Sequence, residues 1–213
     1  MSRVRVKICG LTRAEDVEAA VNYGADAIGF VFTDSPRRVS IETARRLLSY
    51  VPESVLRVGL FLDQASPDID HVVNSVALDV LQFHGSESER ECSGFGLPWL
   101  KAVAMENVES VKRAEHDYPD AMGLLLDSHA KGKRGGSGKT FDWSMLRPAS
   151  KPVWLAGGLN VHNVGEAIRI VRPFAVDVSS GVESVPGIKD AKLIASFINA
   201  VREVENEVSN GKE

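Results

Sequence analysis

The sequence predicts a parallel α/β fold, a single-domain (β/α)8 barrel, on three observations. Eight short runs rich in β-branched and apolar residues recur from end to end, and the segments between them space apolar residues three and four apart. Reactive or loop-type residues follow at least six of those runs. Strict alternation of strand and helix demands parallel strands, because each crossover returns the chain to the same side. Eight units in 213 residues is compact for such a barrel.

The strand-like runs span residues 4–8, 27–32, 55–62, 79–83, 99–103, 123–126, 153–156 and 175–178. Val58-Gly59-Leu60-Phe61-Leu62 shows no polar alternation, as a strand covered on both faces requires. Helical faces come next: Val17, Ala20 and Val21 after the first run, Leu47, Leu48 and Val51 after the second, Ile168 and Val171 after the seventh. Thr12 with Glu15 has the spacing of a capping box, and Ser40, Ser66, Ser86 and Asn160 stand where helices should begin. Gly24 and Pro52 mark the ends of the first two helices. Periodicity alone fits a doubly wound open sheet as well. The run ends favour closure: Cys9, Asp63, His84, Asp127, Gly157-Gly158 and Ser179-Ser180 would ring one mouth of a barrel but be strung along the edge of an open sheet.

Composition narrows the function. With 44% hydrophobic and 25% charged residues, the whole of 1–213 reads as one domain, with a polar tail from about residue 204 expected to fray. A net charge of −4 excludes the basic footprint of a nucleic-acid or anionic-membrane partner. Apolar runs such as 122–126 fall far short of the ~20 residues of a membrane span. Charges inside the first apolar run do not fit a secretory signal, and two cysteines make neither a disulfide framework nor a structural zinc site. His71, His116, His129 and His162 show no ligand spacing, so no metal is expected. A reduced, cytoplasmic setting is expected.

Chemistry gathers at the run ends. Alternation along Val6-Lys7-Ile8-Cys9 sends Lys7 and Cys9 into the barrel. A neighbouring ammonium lowers a thiol's pKa, which makes Cys9 a candidate base; a buried structural cysteine is the plain alternative. Cys92, in mid-helix, is read as structural. Asp127 closes a wholly apolar run, where one-sided desolvation would raise its pKa and keep it protonated as an acid; a loop-anchoring carboxylate is the alternative. Gly138-Lys139-Thr140 has the ending of a P-loop, but that motif needs a glycine at 133, where Lys133 stands. The stretch instead suits a lid over the mouth, with Gly135, Gly136 and Gly138 giving freedom and Phe141 to Trp143 anchoring the next helix. Gly157-Gly158 and Ser179-Ser180-Gly181, after the seventh and eighth runs, expose backbone N–H groups where barrels commonly hold phosphate. Arg37 can pair a carboxylate bidentately, while a lone His84 reads as structural.

Together these stretches resemble the phosphoribosylanthranilate isomerase family. Those that carry the resemblance are Lys-Ile-Cys-Gly-Leu-Thr at 7–12, Gly-Ala-Asp-Ala-Ile-Gly-Phe-Val-Phe at 24–32, Ser-Pro-Arg at 35–37, Gln-Phe-His-Gly at 82–85 and Leu-Leu-Asp at 125–127. Gly-Gly-Ser-Gly-Lys-Thr-Phe-Asp-Trp at 135–143, Ala-Gly-Gly-Leu at 156–159 and Asp-Val-Ser-Ser-Gly-Val-Glu at 177–183 complete the set. They run in order from the first strand to the last. The departures, Phe83 for the usual leucine and Arg38 at a variable position, touch none of the chemistry.

The resemblance implies a (β/α)8 TIM barrel and an Amadori rearrangement, the aldose–ketose isomerisation of N-(5'-phosphoribosyl)anthranilate in tryptophan biosynthesis. It matches Cys9 to the general base and Asp127 to the general acid. Gly157, Gly158, Ser180 and Gly181 match the phosphate grip, Arg37 lies near the anthranilate carboxylate, and Asp177 near the sugar hydroxyls. It implies a small phosphorylated substrate as partner; the substrate's own nitrogen meets the electron demand, so no cofactor is expected, and the sequence leaves monomer or homodimer open. Neighbouring chemistries fit less well: an indole-3-glycerol-phosphate synthase wants a lysine acid and extra N-terminal structure, and a pentose-phosphate epimerase wants paired aspartates with metal-binding histidines. A non-catalytic phosphoribosyl binder would have no use for both Cys9 and Asp127.

Overall fold

A computed structural model describes residues 3–128, 141–146 and 148–209. Eight parallel strands close into a barrel in chain order: β1 Arg5–Cys9, β2 Ala27–Val31, β3 Leu56–Phe61, β4 Val80–Phe83, β5 Trp99–Ala104, β6 Gly123–Asp127, β7 Val153–Leu155 and β8 Ala175–Val178. Closure is made by β1, which pairs with β2 on one side and β8 on the other. Lys7 stands level with both Ala27 and Asp177, so these three belong to one layer of the ring.

The expected strands all form, each largely buried on both faces. Inside the barrel Ala27, Val58, Val80, Leu100, Leu125, Trp154 and Ala175 pack as one cluster, fed by alternate residues of seven strands. Outside, Val6, Ile8, Phe30, Val176 and their equivalents meet the helices through Val17, Leu47, Ile194 and Phe197. Burying each such side chain contributes about 1.5–3 kcal/mol.

The helices depart from the expected eight. Among the described residues there are seven: α1 Ala14–Asn22, α2 Ile41–Leu48, α3 Ser66–Ser75, α4 Glu89–Cys92, α5 Ser110–Asp117, α6 Val164–Val171 and α7 Ala191–Ser209. Between β6 and β7 the described residues hold only a 3-10 turn, Trp143–Met145, started by the Asp142 carboxylate accepting from the Ser144 N–H. Pro148 and Pro152, which lack backbone donors, bound the room for a longer helix before β7. The lid glycines Gly135, Gly136 and Gly138 lie outside the described residues.

Caps are also corrected. Ser40 caps α2 as expected, accepting from the Thr43 N–H. Thr12 makes no capping box; its hydroxyl instead donates to the Gly187 carbonyl at 2.6 Å, and Arg13 stands at the start of α1 without a side-chain cap. Two residues on from Ser86, Ser88 caps α4 in a reciprocal box with Glu91. Asn160 begins a turn rather than a helix, and α6 starts at Val164. The tail expected to fray from about residue 204 is helical through Ser209, because α7 continues to bury one face there: Val204 is buried against the core. Arg202 of the same helix donates to the carbonyls of Val4 and Gly24, clasping the chain around the first strand.

One element has no counterpart in the sequence pattern. After β8 a 3-10 turn, Ser180–Val182, leads into a short antiparallel hairpin, β9 Glu183–Val185 and β10 Ile188–Lys189. No helix among the described residues is long and apolar enough to cross a membrane.

Candidate active site

A cavity of about 320 Å³ opens at the carboxyl ends of the barrel strands, lined by Cys9, Arg37, His84, Asp127, Gly157, Gly158, Asp177, Ser179 and Ser180 among others. Five of the six run ends singled out in the sequence therefore meet at one mouth. Asp63 is the exception. Its backbone is left-handed, at φ 49°, and its carboxylate is spent on the Ser86 N–H at 2.6 Å, so it ties the β3 loop to the β4 loop.

Cys9 comes from the end of β1, its thiol buried in the layer above Lys7. Gly29 on the neighbouring strand makes room for it: a Cβ there would stand 2.9 Å from the sulfur. Lys7, wholly buried, forms an ion pair with Asp177 at 2.9 Å. Burial alone pulls its pKa down, but Asp177 and Cys9 together hold it above the ordinary lysine value. For Cys9 the balance runs the other way from the sequence expectation. Burial pushes the thiol up, and the ammonium groups of Lys7 and Lys189 recover only part of that rise. The expected lowering ammonium is present, but it is shared with Asp177 and the thiol has lost its water.

Asp127 ends β6, three strands from β1 around the closed ring, and faces the same cavity. Its Oδ2 lies 3.4 Å from His84 Nε2. The other ring nitrogen, Nδ1, meets the Gln82 amide nitrogen at 3.2 Å, and Gln82 is itself buried on the cavity wall. His84, read from sequence as an isolated structural histidine, is thus a neighbour of the candidate acid. The two-residue spacing of Gln82 and His84 could have shown that they face one side, but nothing local pairs His84 with Asp127.

Gly157 and Gly158 follow β7 with left-handed backbones, φ 81° and 71°. Only glycine fits here: a Cβ on Gly157 would lie 2.4 Å from the Ser128 N and 2.7 Å from the Asp127 carboxylate. The Asn163 amide donates to the Gly158 carbonyl at 3.0 Å and turns that oxygen toward the protein. Gly157, Gly158, Ser179 and Ser180 all line the cavity, and with no side chain at 157 or 158 the backbone itself forms that part of the wall. Gly181 follows in the Ser180–Val182 turn, its α-carbon packed against the Leu159 carbonyl.

Arg37, on the loop after β2, lines the same cavity, but its side edge already holds a carboxylate. Nε and Nη2 donate to the two oxygens of Glu183, each at 2.7 Å. Lys189 approaches the same carboxylate at 2.8 Å and also donates to the carbonyl and hydroxyl oxygens of Ser179. Burial pulls Lys189 below its ordinary value despite Glu183. Burial pushes Glu183 upward, yet its two cationic partners hold it below the usual carboxylate range. Neither Glu183 nor Lys189 was assigned a role from sequence, since nothing in their spacing shows that a hairpin returns them to Arg37.

No group of histidine, cysteine or carboxylate side chains among the described residues is arranged to hold a metal ion. Cys92, buried with its thiol pushed up to about 12, remains structural.

Comparison with known proteins bears on this geometry. Residues 6–200 match the family described as N-(5'phosphoribosyl)anthranilate (PRA) isomerase. An N-(5'-phosphoribosyl)anthranilate isomerase of Pseudomonas fluorescens (strain Pf0-1) is 50% identical over 204 residues, covering 95% of this chain and 100% of its own. Among solved structures, mutually generated monomers of the dimeric phosphoribosylanthranilate isomerase of Thermotoga maritima align with a TM-score of 0.81 at 41% identity, over 94% of this chain and 99% of that one. A phosphoribosyl anthranilate isomerase in complex with reduced 1-(o-carboxyphenylamino)-1-deoxyribulose 5-phosphate gives a TM-score of 0.79 at 40% identity, over 94% and 99%. The matched span takes in the whole cavity wall from Cys9 to Pro186, and this chain belongs to the N-(5'-phosphoribosyl)anthranilate isomerase family.

Proposed function

We propose that Cys9 and Asp127 divide the proton transfers of the family's reaction, with the phosphate held at Gly157, Gly158, Ser180 and Gly181. The chain is an aldose–ketose isomerase of tryptophan biosynthesis, converting N-(5'-phosphoribosyl)anthranilate to 1-(2-carboxyphenylamino)-1-deoxyribulose 5-phosphate. The observation that carries the assignment is that a thiol and a carboxyl from β1 and β6 face one cavity whose wall also holds the left-handed glycines Gly157 and Gly158 and Ser180.

Asp127, as the acid, protonates the ribose ring oxygen; the C1–O bond breaks and the anilino nitrogen supplies electrons to form an iminium at C1. That cation acidifies the C2 proton, which the Cys9 thiolate removes, giving an enolamine. Protonation at C1, as the C2 hydroxyl gives up its own proton, then yields the C2 ketone. One acid and one base in different environments suffice. In this reading Asp177, paired with Lys7, meets the sugar hydroxyls and Arg37 the anthranilate carboxylate. The glycines Gly135, Gly136 and Gly138 keep their reading as a lid.

Cys9→Ala and Asp127→Asn are each expected to lower kcat by at least ~10²-fold, as loss of a general acid or base does. Inhibition by inorganic phosphate should be unchanged in both. Near-wild-type turnover of freshly made substrate by either variant would remove that residue's role. The whole of 1–213 is read as one barrel domain, acting in the cytoplasm as a monomer or homodimer. The dimeric Thermotoga relative and two free, buried cysteines support that setting.

A further inference from the structure

The β9–β10 hairpin grips Arg37 and its loop at two points. Glu183, the first residue of β9, accepts from Nε and Nη2 of the guanidinium, and Lys189, the last of β10, closes on the same carboxylate. The turn between them sets Gly187 against the Arg37 loop: its φ is 85°, and a Cβ there would stand 2.8 Å from the Pro36 carbonyl oxygen. The Gly187 carbonyl is in turn held by the Thr12 hydroxyl. The charged groups are withdrawn from water, with side-chain exposures of 13% for Arg37, 5% for Glu183 and 0% for Lys189.

A guanidinium carries five N–H donors in one plane. Glu183 occupies one edge of that fork, and among the described residues Nη1 makes no hydrogen bond. Two cations therefore face a single carboxylate beside the cavity that Arg37 lines. A second carboxylate, arriving on the remaining edge, would bring the cluster to neutrality. A neutral aromatic ring would not.

We propose that Glu183, braced by Lys189, is a positioning residue that fixes the plane of Arg37 so that its remaining edge selects an aromatic carboxylate in the substrate. The proposal rests on the reading of Arg37 as the carboxylate-binding residue. The hairpin, rather than the arginine alone, is then what distinguishes an anthranilate end from an uncharged arylamine.

The test compares two stable ligands, the reduced secondary amine of the product and its counterpart lacking the ring carboxylate, by titration against wild type, Arg37→Ala, Glu183→Gln and the double variant. Wild type should prefer the carboxylate-bearing ligand, and Arg37→Ala should lose that preference. Glu183→Gln should lose about tenfold of it, the scale of one charge-assisted bidentate contact. Its Kd for the carboxylate-free ligand should stay within about twofold of wild type, a change that is small on that scale. On the natural substrate its KM should rise with kcat little altered, and in the Arg37→Ala background Glu183→Gln should change nothing further. If Glu183→Gln does not fold, Glu183→Asp, which keeps the charge but withdraws the carboxylate, should show the same loss. Full carboxylate preference in a folded Glu183 variant overturns the proposal while leaving Arg37 in place. Full preference in Arg37→Ala overturns both.

Discussion

At the scale of single residues, the site turns on how burial and charge compete at one sulfur. Cys9 has two ammonium neighbours, yet its thiol lies above the ordinary value because it is removed from water. A base that is mostly protonated near neutrality gains strength as pH rises. We therefore expect kcat/KM to climb by up to about tenfold per pH unit through neutrality, reaching its plateau only above the ordinary thiol value of about 8.5. The same upward shift acts on stability in the opposite direction. A raised acid contributes fully below the unfolded pKa and loses that contribution as pH climbs through the folded one. Iodoacetamide labelling offers an independent reading, because Cys92 is buried with its thiol pushed up to about 12 and does not compete. If turnover and labelling are both flat between about pH 7 and 9, Cys9 is already ionised at neutrality and burial is not the controlling factor.

At the scale of elements, each βα connection delivers one functional group, and the shape of the connection decides which. The β7 turn places consecutive left-handed residues where a side chain would strike Ser128 and Asp127. Gly157→Ala should accordingly cost about 1–3 kcal/mol of stability from the strained backbone and the contact. It should also weaken competitive inhibition by inorganic phosphate. Unchanged phosphate inhibition in a folded Gly157→Ala variant would place the anion elsewhere. The unit after β6 is the one whose described part has no α-helix. The β8 unit adds a hairpin instead of going straight to its helix, and that addition brings Glu183 and Lys189 to Arg37.

At the scale of the whole molecule, stability and chemistry occupy opposite ends of the barrel. The cavity lies at the carboxyl ends of the strands, while α7 clasps the amino ends through Arg202, which bonds the carbonyls of Val4 and Gly24 and the carboxylate of Asp26. Arg202→Ala should cost about 1–2 kcal/mol, mostly through lost hydrogen bonds to backbone carbonyls. For a domain of this size that lowers Tm by roughly 2–8 °C. Calorimetry should show the drop with kcat and KM unaltered, and a fall in kcat would mean the two ends are coupled.

Alternating apolar runs and helical stripes determined the eight strands and most helix positions, because burial on two faces leaves a mark on local composition. Closure was legible through the reactive residues at the run ends, and so were Cys9, Asp127, Gly157 and Gly158, each standing at or just past the end of a strand whose direction the pattern sets. Tertiary structure alone decided the rest. Whether Cys9 is acidified depends on how Lys7 is shared with Asp177 and how much water is excluded, neither of which is local. Asp63 looked equivalent to Asp127 along the chain and was diverted to a backbone N–H of the next loop. The partners of Arg37 stand 146 residues and more away, and only the return of the β9–β10 hairpin across the mouth joins them.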